Sequence, residues 1–220
     1  MSAETAPIQQ PQLAHTRGTP GNELASAKAG PGKRRPQRLP RSLTADEQAA
    51  LLAQPNGRAP TGVRDRALIA IMLRSGLRCA EALQLRQRDI DFAGHRLRVM
   101  GKGKKERVVP IDPVLELYLL EWRDRRPPGE RFFNTVREPK GRPLDTRAIR
   151  RMVKRRGLKA GITDLHPHLL RHTCATVWVS RTELELHEVQ LLLGHARLTT
   201  TQRYLHASVP TLVEKFRRFT

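Results

Sequence analysis

Aromatic residues are scarce in this sequence: Phe, Tyr and Trp make up only 4 % of it. Proteins that hold single-stranded nucleic acid stack its bases on exposed rings, so the scarcity disfavours that mode. Acidic residues are also few, 21 Asp and Glu against 41 Lys and Arg, which leaves a net charge of +20. A compact domain tolerates such self-repulsion when its usual partner is a polyanion. Nucleic acid is the first candidate and an anionic membrane the second. Duplex backbone, where Lys and Arg suffice, fits the low aromatic content better than single strands. A basic protein that coats nucleic acid without chemistry is compatible with the same composition. There are two cysteines, Cys79 and Cys174, far apart and without metal-ligand spacing, which reads as two small buried thiols in a reduced intracellular protein. The longest apolar run, Ala67 to Leu73, is too short to span a bilayer. The amino terminus has no apolar stretch of the secretory kind. A cytoplasmic, nucleoid-associated location is the expectation. No internal repeat is present.

Residues 1–40 are rich in Pro, Gly, Ala and Gln without sustained periodicity and read as a disordered tail. The tail ends in KRRPQRLPR, where Lys33, Arg34 and Arg35 form the heart of a basic arm. The arm is either a solvated tail or a segment that lies along DNA phosphates. Order is expected over 41–220. Thr44 and Glu47 have capping-box spacing ahead of an Ala/Leu helix. A helix from about Gly62 to Ser75 is apolar on most sides and should be the central core helix, stopped by Gly76. A short helix follows from about Cys79 to Leu85. Leu97 and Val99 alternate with Arg96 and Arg98, the period of a half-buried strand. Val108, Val109 and Ile111 form the returning strand, and the RDIDF segment supplies a third. Helical patterns then cover about 113–126, 145–159, 167–179, 185–193, 199–205 and 209–218. The fold class is mainly α with a small three-stranded antiparallel β-sheet, an α+β domain.

Several residues could carry chemistry, and each has a plain alternative. His168 and Arg171 lie on one helix face by spacing and should point outward while Leu169, Leu170 and Ala175 face the core; such pairs are usually surface residues. His166, His168 and His172 suggest a metal site, but no HExxH motif, cysteine pair or acidic ligand accompanies them, so no metal is expected. Arg78 follows a helix-ending Gly, which can put it at a helix start beside a concave surface. With Glu81 three residues on, it is either a weak surface pair or an arginine aimed at phosphate and steadied by the carboxylate. The turn GKGKKE holds Lys102, Lys104 and Lys105, either as a solvated tip or as polyanion contacts, with Lys102 able to deliver a proton. His195 follows Gly194, and Tyr204 sits in a polar stretch between Arg203 and His206. Tyr118, in LELYLLEW, reads as core instead. A phenol is a poor nucleophile near neutral pH unless a base takes its proton or cations stabilise the phenolate.

The pieces GLRCAEALQL, GKGKKERVVPI, HPHLLRHTCAT and LLGHARLTTTQRYLH stand in an order that resembles the catalytic domain of the tyrosine recombinase, or phage integrase, family, its Xer-like members above all. The resemblance covers roughly Leu43 to Thr220. It implies Arg78, Lys102, His168, Arg171 and His195 as catalytic residues around a nucleophilic Tyr204, with Glu81 supporting Arg78. It further implies a DNA strand transferase that needs no cofactor, metal or ATP and works as a tetramer, of one or two kinds of subunit, on two duplex DNA sites. A DNA-binding regulator that kept the fold, and a relaxing enzyme of the type IB topoisomerase kind, are the alternatives.

Members of this family usually carry an amino-terminal helical clamp domain. About forty low-complexity residues precede the catalytic part here, too few to hold it. The expectation is that the basic arm substitutes by phosphate contacts, that the chain is a fragment, or that a helper protein supplies the clamp. The carboxyl-terminal VPTLVEKFRRF reads as an amphipathic helix that packs on its own domain or on a neighbouring subunit. If the arm contacts phosphates, deleting residues 1–40 weakens DNA binding and flattens the slope of log affinity against log salt. Unchanged affinity and slope in a salt titration would exclude that role.

Overall fold

The computed structural model describes residues 41–101, 105–181 and 184–194. The arm residues Lys33, Arg34 and Arg35, the hairpin lysines Lys102 and Lys104, His195, Tyr204 and the expected helices at 199–205 and 209–218 lie outside them.

Helix α1 (Ala45–Ala53) opens on the expected capping box: the Thr44 hydroxyl accepts from Glu47 N, and the Glu47 carboxylate accepts from Thr44 N. Helix α2 (Pro60–Arg74) begins two residues before the expected Gly62, because Pro60 has the fixed φ that suits a first helical position. It stops as expected ahead of Gly76, whose φ of +60° takes the backbone into the left-handed region. Ala67 to Met72 are wholly buried, which makes α2 the core helix. It packs against α4 (Pro113–Arg125) and α6 (Pro167–Arg181). Helix α3 (Cys79–Gln84) follows at once.

The sheet is antiparallel in the order β1 (Ile90–Asp91), β2 (Arg96–Met100), β3 (Glu106–Pro110). In β2, Leu97 and Val99 are buried and Arg96, Arg98 and Met100 are exposed, as the alternation requires. Strand β3 differs from expectation. Pairing sets Leu97 opposite Val109 and Val99 opposite Arg107, so the inward face of β3 carries Arg107 and Val109 while Val108 is half-buried. Ile111 is fully buried just past the strand, its N–H donating to His95 O. Since the side-chain period is two, Arg107 and not Val108 must share a face with Val109.

Helices α5 (Thr146–Lys159), α6 and α7 (Leu186–Leu193) complete the described domain. Trp122, Phe132 and Phe133 are fully buried, and the Trp122 indole donates to Phe132 O at 2.9 Å. Tyr118 is half-buried against the core, with Arg66 over its ring at 5.8 Å. No helix among the described residues is long and apolar enough to cross a membrane.

Asp112 joins the sheet to the helices. It is 1 % exposed, caps α4 by accepting from Leu115 N, and takes Arg74 Nε on both carboxylate oxygens at 2.8 and 2.7 Å. Asp112→Ala removes a cap and leaves Arg74 without its acid, so unfolding free energy should fall by about 2–4 kcal/mol in urea titration. An unchanged midpoint would mean that the junction is held by apolar packing alone.

Candidate active site

Gly76 turns the chain out of α2 and delivers Arg78 to the N-cap of α3. Its positive φ is one reason for glycine there. The other is space: a Cβ would come within 2.6 Å of Leu193 Cδ2. The close approach lets the start of α3, helix α6 and the end of α7 meet.

At that meeting point Arg78 donates through Nη1 to Glu81 Oε1 at 2.7 Å and through Nη2 to Gly194 O at 3.2 Å, while its backbone N–H donates to Glu81 Oε2 at 2.8 Å. Glu81 is 7 % exposed, so the pair is not the surface pair of the plain reading. A second guanidinium grips the same carboxylate: Arg107 Nη1 and Nη2 donate to Oε1 and Oε2 at 3.1 and 2.8 Å, and its Nε donates to Leu192 O.

Arg171 corrects the expectation that the His168–Arg171 pair faces outward. It is 8 % exposed, and its Nη1 and Nη2 donate to Gly76 O and Leu193 O, both at 2.6 Å. His168, by contrast, is exposed. An arginine can turn inward here because the Leu193 carbonyl at the end of α7 and the Gly76 carbonyl in the turn after α2 accept its hydrogens.

Three arginines therefore bond three successive carbonyls at the end of α7: Arg107 to Leu192, Arg171 to Leu193 and Arg78 to Gly194. A helix carboxyl end leaves its last carbonyls without helical partners and carries partial negative charge, so cations are stabilised there. Gly194, with φ +68° and ψ +51°, is the left-handed residue that ends the helix, and a Cβ on it would press on Arg107 at 3.2 Å.

The electrostatics follow from the geometry. Burial pushes the Glu81 carboxyl up, but the hydrogen bonds and charge of Arg107, joined by Arg78, overcome this and hold it below its usual range. Burial, then the neighbouring Arg78 charge, brings the Arg171 guanidinium down to about 10, with Glu81 opposing. Arg171 is thus cationic at neutral pH. Three guanidiniums around one carboxylate leave positive charge in excess.

Beside the cluster lies a cavity of about 290 Å³ lined by Arg78, Cys79, Arg150, Lys154, His168 and Arg171, among others. Two of the sequence candidates for phosphate contact thus share one cleft with His168. Among the described residues, Arg78 and Arg171 each keep Nε–H and further Nη hydrogens for a ligand. Cys79 corrects a second expectation: it is half-buried and reaches the cleft, while only Cys174 is buried. As the first residue of a short helix next to Arg78, it cannot turn wholly into the core.

Three residues were missed from sequence. Arg150 and Lys154 are one turn apart on α5, and that spacing was the available signal. Arg107 was legible only through the strand period. His166 is accounted for locally, since its Nδ1 accepts from Leu169 N at the start of α6. No group of three or more His, Cys, Asp or Glu suited to a metal ion occurs among the described residues. Lys105 is exposed beside the hairpin tip.

Comparison with known proteins gives concordant matches. The sequence model described as "Phage integrase family" matches residues 41–210. The tyrosine recombinase XerC of Chlamydia trachomatis serovar L2 (strain ATCC VR-902B / DSM 19102 / 434/Bu) is 41 % identical over 182 residues, covering 81 % of this chain and 58 % of that protein. The XerC of Pelobacter propionicus is 39 % identical over 184 residues, covering 83 % and 61 %. The chain thus spans about three-fifths of the length of these curated relatives. Among solved structures, XerA recombinase matches with TM-score 0.63 at 30 % identity, over 83 % of this chain and 64 % of that one. XerH recombinase in a post-cleavage complex with palindromic difH substrate matches with TM-score 0.62 at 30 % identity, over 80 % and 52 %.

Glu81 has a depressed folded-state pKa, so its contribution to stability is present above the unfolded-state value and is lost as the pH falls through the folded one. Replacing it with Gln should cost about 3 kcal/mol near neutral pH. The gap from wild type should narrow as the pH drops below the ordinary glutamate range. Urea unfolding at a series of pH values checks this, and a gap that widens toward acid would contradict it.

Proposed function

The chain belongs to the phage integrase family, and on that premise we propose that it is a site-specific DNA recombinase that cuts and rejoins duplex DNA through a 3′-phosphotyrosine link on Tyr204. The observation that carries the reading is the meeting of Arg78, Arg171 and His168 on one cleft, with both guanidiniums anchored by backbone carbonyls and left with hydrogens to donate.

In this reading the scissile phosphate enters the cleft and Arg78 and Arg171 donate to its non-bridging oxygens. Negative charge builds on those oxygens as the phosphorus becomes five-coordinate, and donors fixed in advance lower the barrier there. The Tyr204 oxygen forms the new bond to phosphorus while the bond to the 5′ oxygen breaks. The phenol proton goes to His168, and Lys102 gives a proton to the departing 5′ oxygen. His195 adds a hydrogen bond to the phosphate. The ester on Tyr204 retains the energy of the broken link, so a 5′-hydroxyl from a second strand can reverse the step without ATP or metal. Glu81 acts on Arg78, keeping it aimed into the cleft.

The substrate is duplex DNA, which agrees with the net charge of +20 and the low aromatic content. Exchange of strands between two sites calls for four active sites, hence a tetramer on two DNA segments. The work is done in the cytoplasm, on the nucleoid, and the arm around Lys33, Arg34 and Arg35, with Lys104 and Lys105, adds phosphate contacts.

The test is a nicked suicide duplex carrying a site selected from a random-sequence pool by binding to the full chain. The wild type should form a covalent protein–DNA adduct, and Tyr204→Phe should form none. Arg78→Lys and Arg171→Lys should each slow its formation by roughly 10²–10³-fold, since a point charge does not replace a fork of donors. An adduct that persists in Tyr204→Phe would overturn the assignment of the nucleophile. Relaxed plasmid without any recombinant product would replace recombination by topoisomerase chemistry.

A further inference from the structure

Arg107 has no part in the reaction as described, yet it is placed where an apolar residue belongs. It faces inward from β3 beside Val109 and is 8 % exposed. It does not line the cleft. Its guanidinium donates to both oxygens of Glu81 and, through Nε, to Leu192 O at 2.8 Å. The flank of the same side chain closes on Gly194, where a Cβ would meet Cδ, Nε and Nη1 at 3.2 Å. Burying an arginine is costly, and leucine or valine would fill an inward strand position more cheaply. What an apolar residue could not do is join a carboxylate to a helix end.

We infer that Arg107 is a positioning residue for strand transfer, holding the Glu81 carboxylate and the last turn of α7 in one frame so that Arg78 and the end of α7 at Gly194 keep a set separation. The inference rests on the reading of the reaction given above. Glu81 is the shared element. Each of its oxygens accepts from both Arg78 and Arg107, so a shift of Arg107 moves Arg78 through the carboxylate. The carbonyl of Leu192 is two residues before Gly194, to which Arg78 itself bonds. Arg107 thus steadies both partners of Arg78. Arginine suits this task because its planar fork grips two oxygens while Nε serves a third; lysine offers one point charge.

Among the described residues, the charged groups that act on Glu81 are Arg78 from its own turn, Arg107 from β3 and Arg171 from α6, while α7 presents backbone carbonyls; on its open side Glu81 shares a cleft with Arg86, Arg88, Asp89, Arg98, Glu106 and Arg131. Burial alone drives the Glu81 carboxyl toward its neutral form, and Arg107 is the largest influence against that. Without Arg107 the carboxyl should protonate closer to neutral pH, and Arg78 then loses its acceptor. This supplies a readout that a purely structural role does not share.

Single-turnover cleavage of the suicide duplex is measured from weakly acidic to weakly alkaline pH for the wild type, Arg107→Met, Arg107→Lys, Glu81→Gln and the Glu81→Gln/Arg107→Met double variant. DNA affinity and thermal melting are followed in parallel. Arg107→Met should cleave roughly 10- to 100-fold more slowly near neutral pH, the usual cost of losing a supporting contact, with DNA affinity little changed. Its deficit against the wild type should be largest in acid and shrink as the pH rises and Glu81 ionises, a pH dependence added to the one that His168, as proton acceptor, gives both proteins. Arg107→Lys should recover part of the rate. The double variant leaves no unpaired buried carboxylate, so it should melt higher than Arg107→Met. It should lose that added pH dependence and be no slower than the slower single variant. Arg107→Met cleaving at the wild-type rate, slowing equally at every pH, or combining with Glu81→Gln multiplicatively would overturn the inference while leaving the reaction intact. A wild-type protein that forms no adduct would overturn the reaction itself, and this inference with it.

Discussion

The Glu81 carboxylate, buried and shared between two guanidiniums, is the interaction on which the rest of the site depends. One oxygen takes Arg78 Nη1, and both take Arg107. A carboxylate alone at that depth would be neutralised by the cost of desolvation. Arg107 and Arg78 together keep it charged, and the charge in turn keeps Arg78 at the mouth of the cleft. Without the acid each arginine would keep only its one carbonyl at the end of α7, and helix α3 would start without its Glu81 cap.

The carboxyl end of α7 is the second organiser. Its final carbonyls have no partners within the helix, and a protein interior requires them to find donors. Here the Gly194 N–H serves Gln190 and Leu191, and arginines supplied by α3, β3 and α6 serve Leu192, Leu193 and Gly194. The same contacts that satisfy the helix end also gather cationic groups from three distant stretches of chain. Packing and charge placement are therefore one event. Gly76 and Gly194, both at positive φ, let the backbones come close enough for it.

Cation excess explains how one arrangement can serve both stability and phosphate chemistry. One carboxylate cannot neutralise Arg78, Arg107 and Arg171. The surplus faces a cavity that Arg150 and Lys154 make more basic still. Arg171 pays for its place with a guanidinium pKa drawn down to about 10, which still leaves it a full cation near neutral pH. A phosphate in that cavity would meet donors already held in place by backbone carbonyls, so little reorganisation remains for the moment of reaction.

Much of this was legible in the sequence. Hydrophobic periodicity marked α2 as the core helix and predicted three short strands. The Thr44–Glu47 spacing located the first helix, and the order of four motifs identified the family, because composition, spacing and turn residues are local properties of the chain. What stayed hidden was which way particular side chains face when local preference and long-range partners disagree. Arg171 reads as an outward helix residue and is buried, since Gly76 and Leu193 carbonyls from elsewhere in the chain accept its hydrogens. Arg107 drew no notice in the sequence and is buried, since strand pairing turns it toward Glu81. Residue types and their periods are written along the chain, and by themselves they determined the class of fold, the basic character and the candidate chemistry. Only tertiary structure decided which charges were buried, because burying an arginine depends on an acid or a carbonyl that folding alone brings within reach.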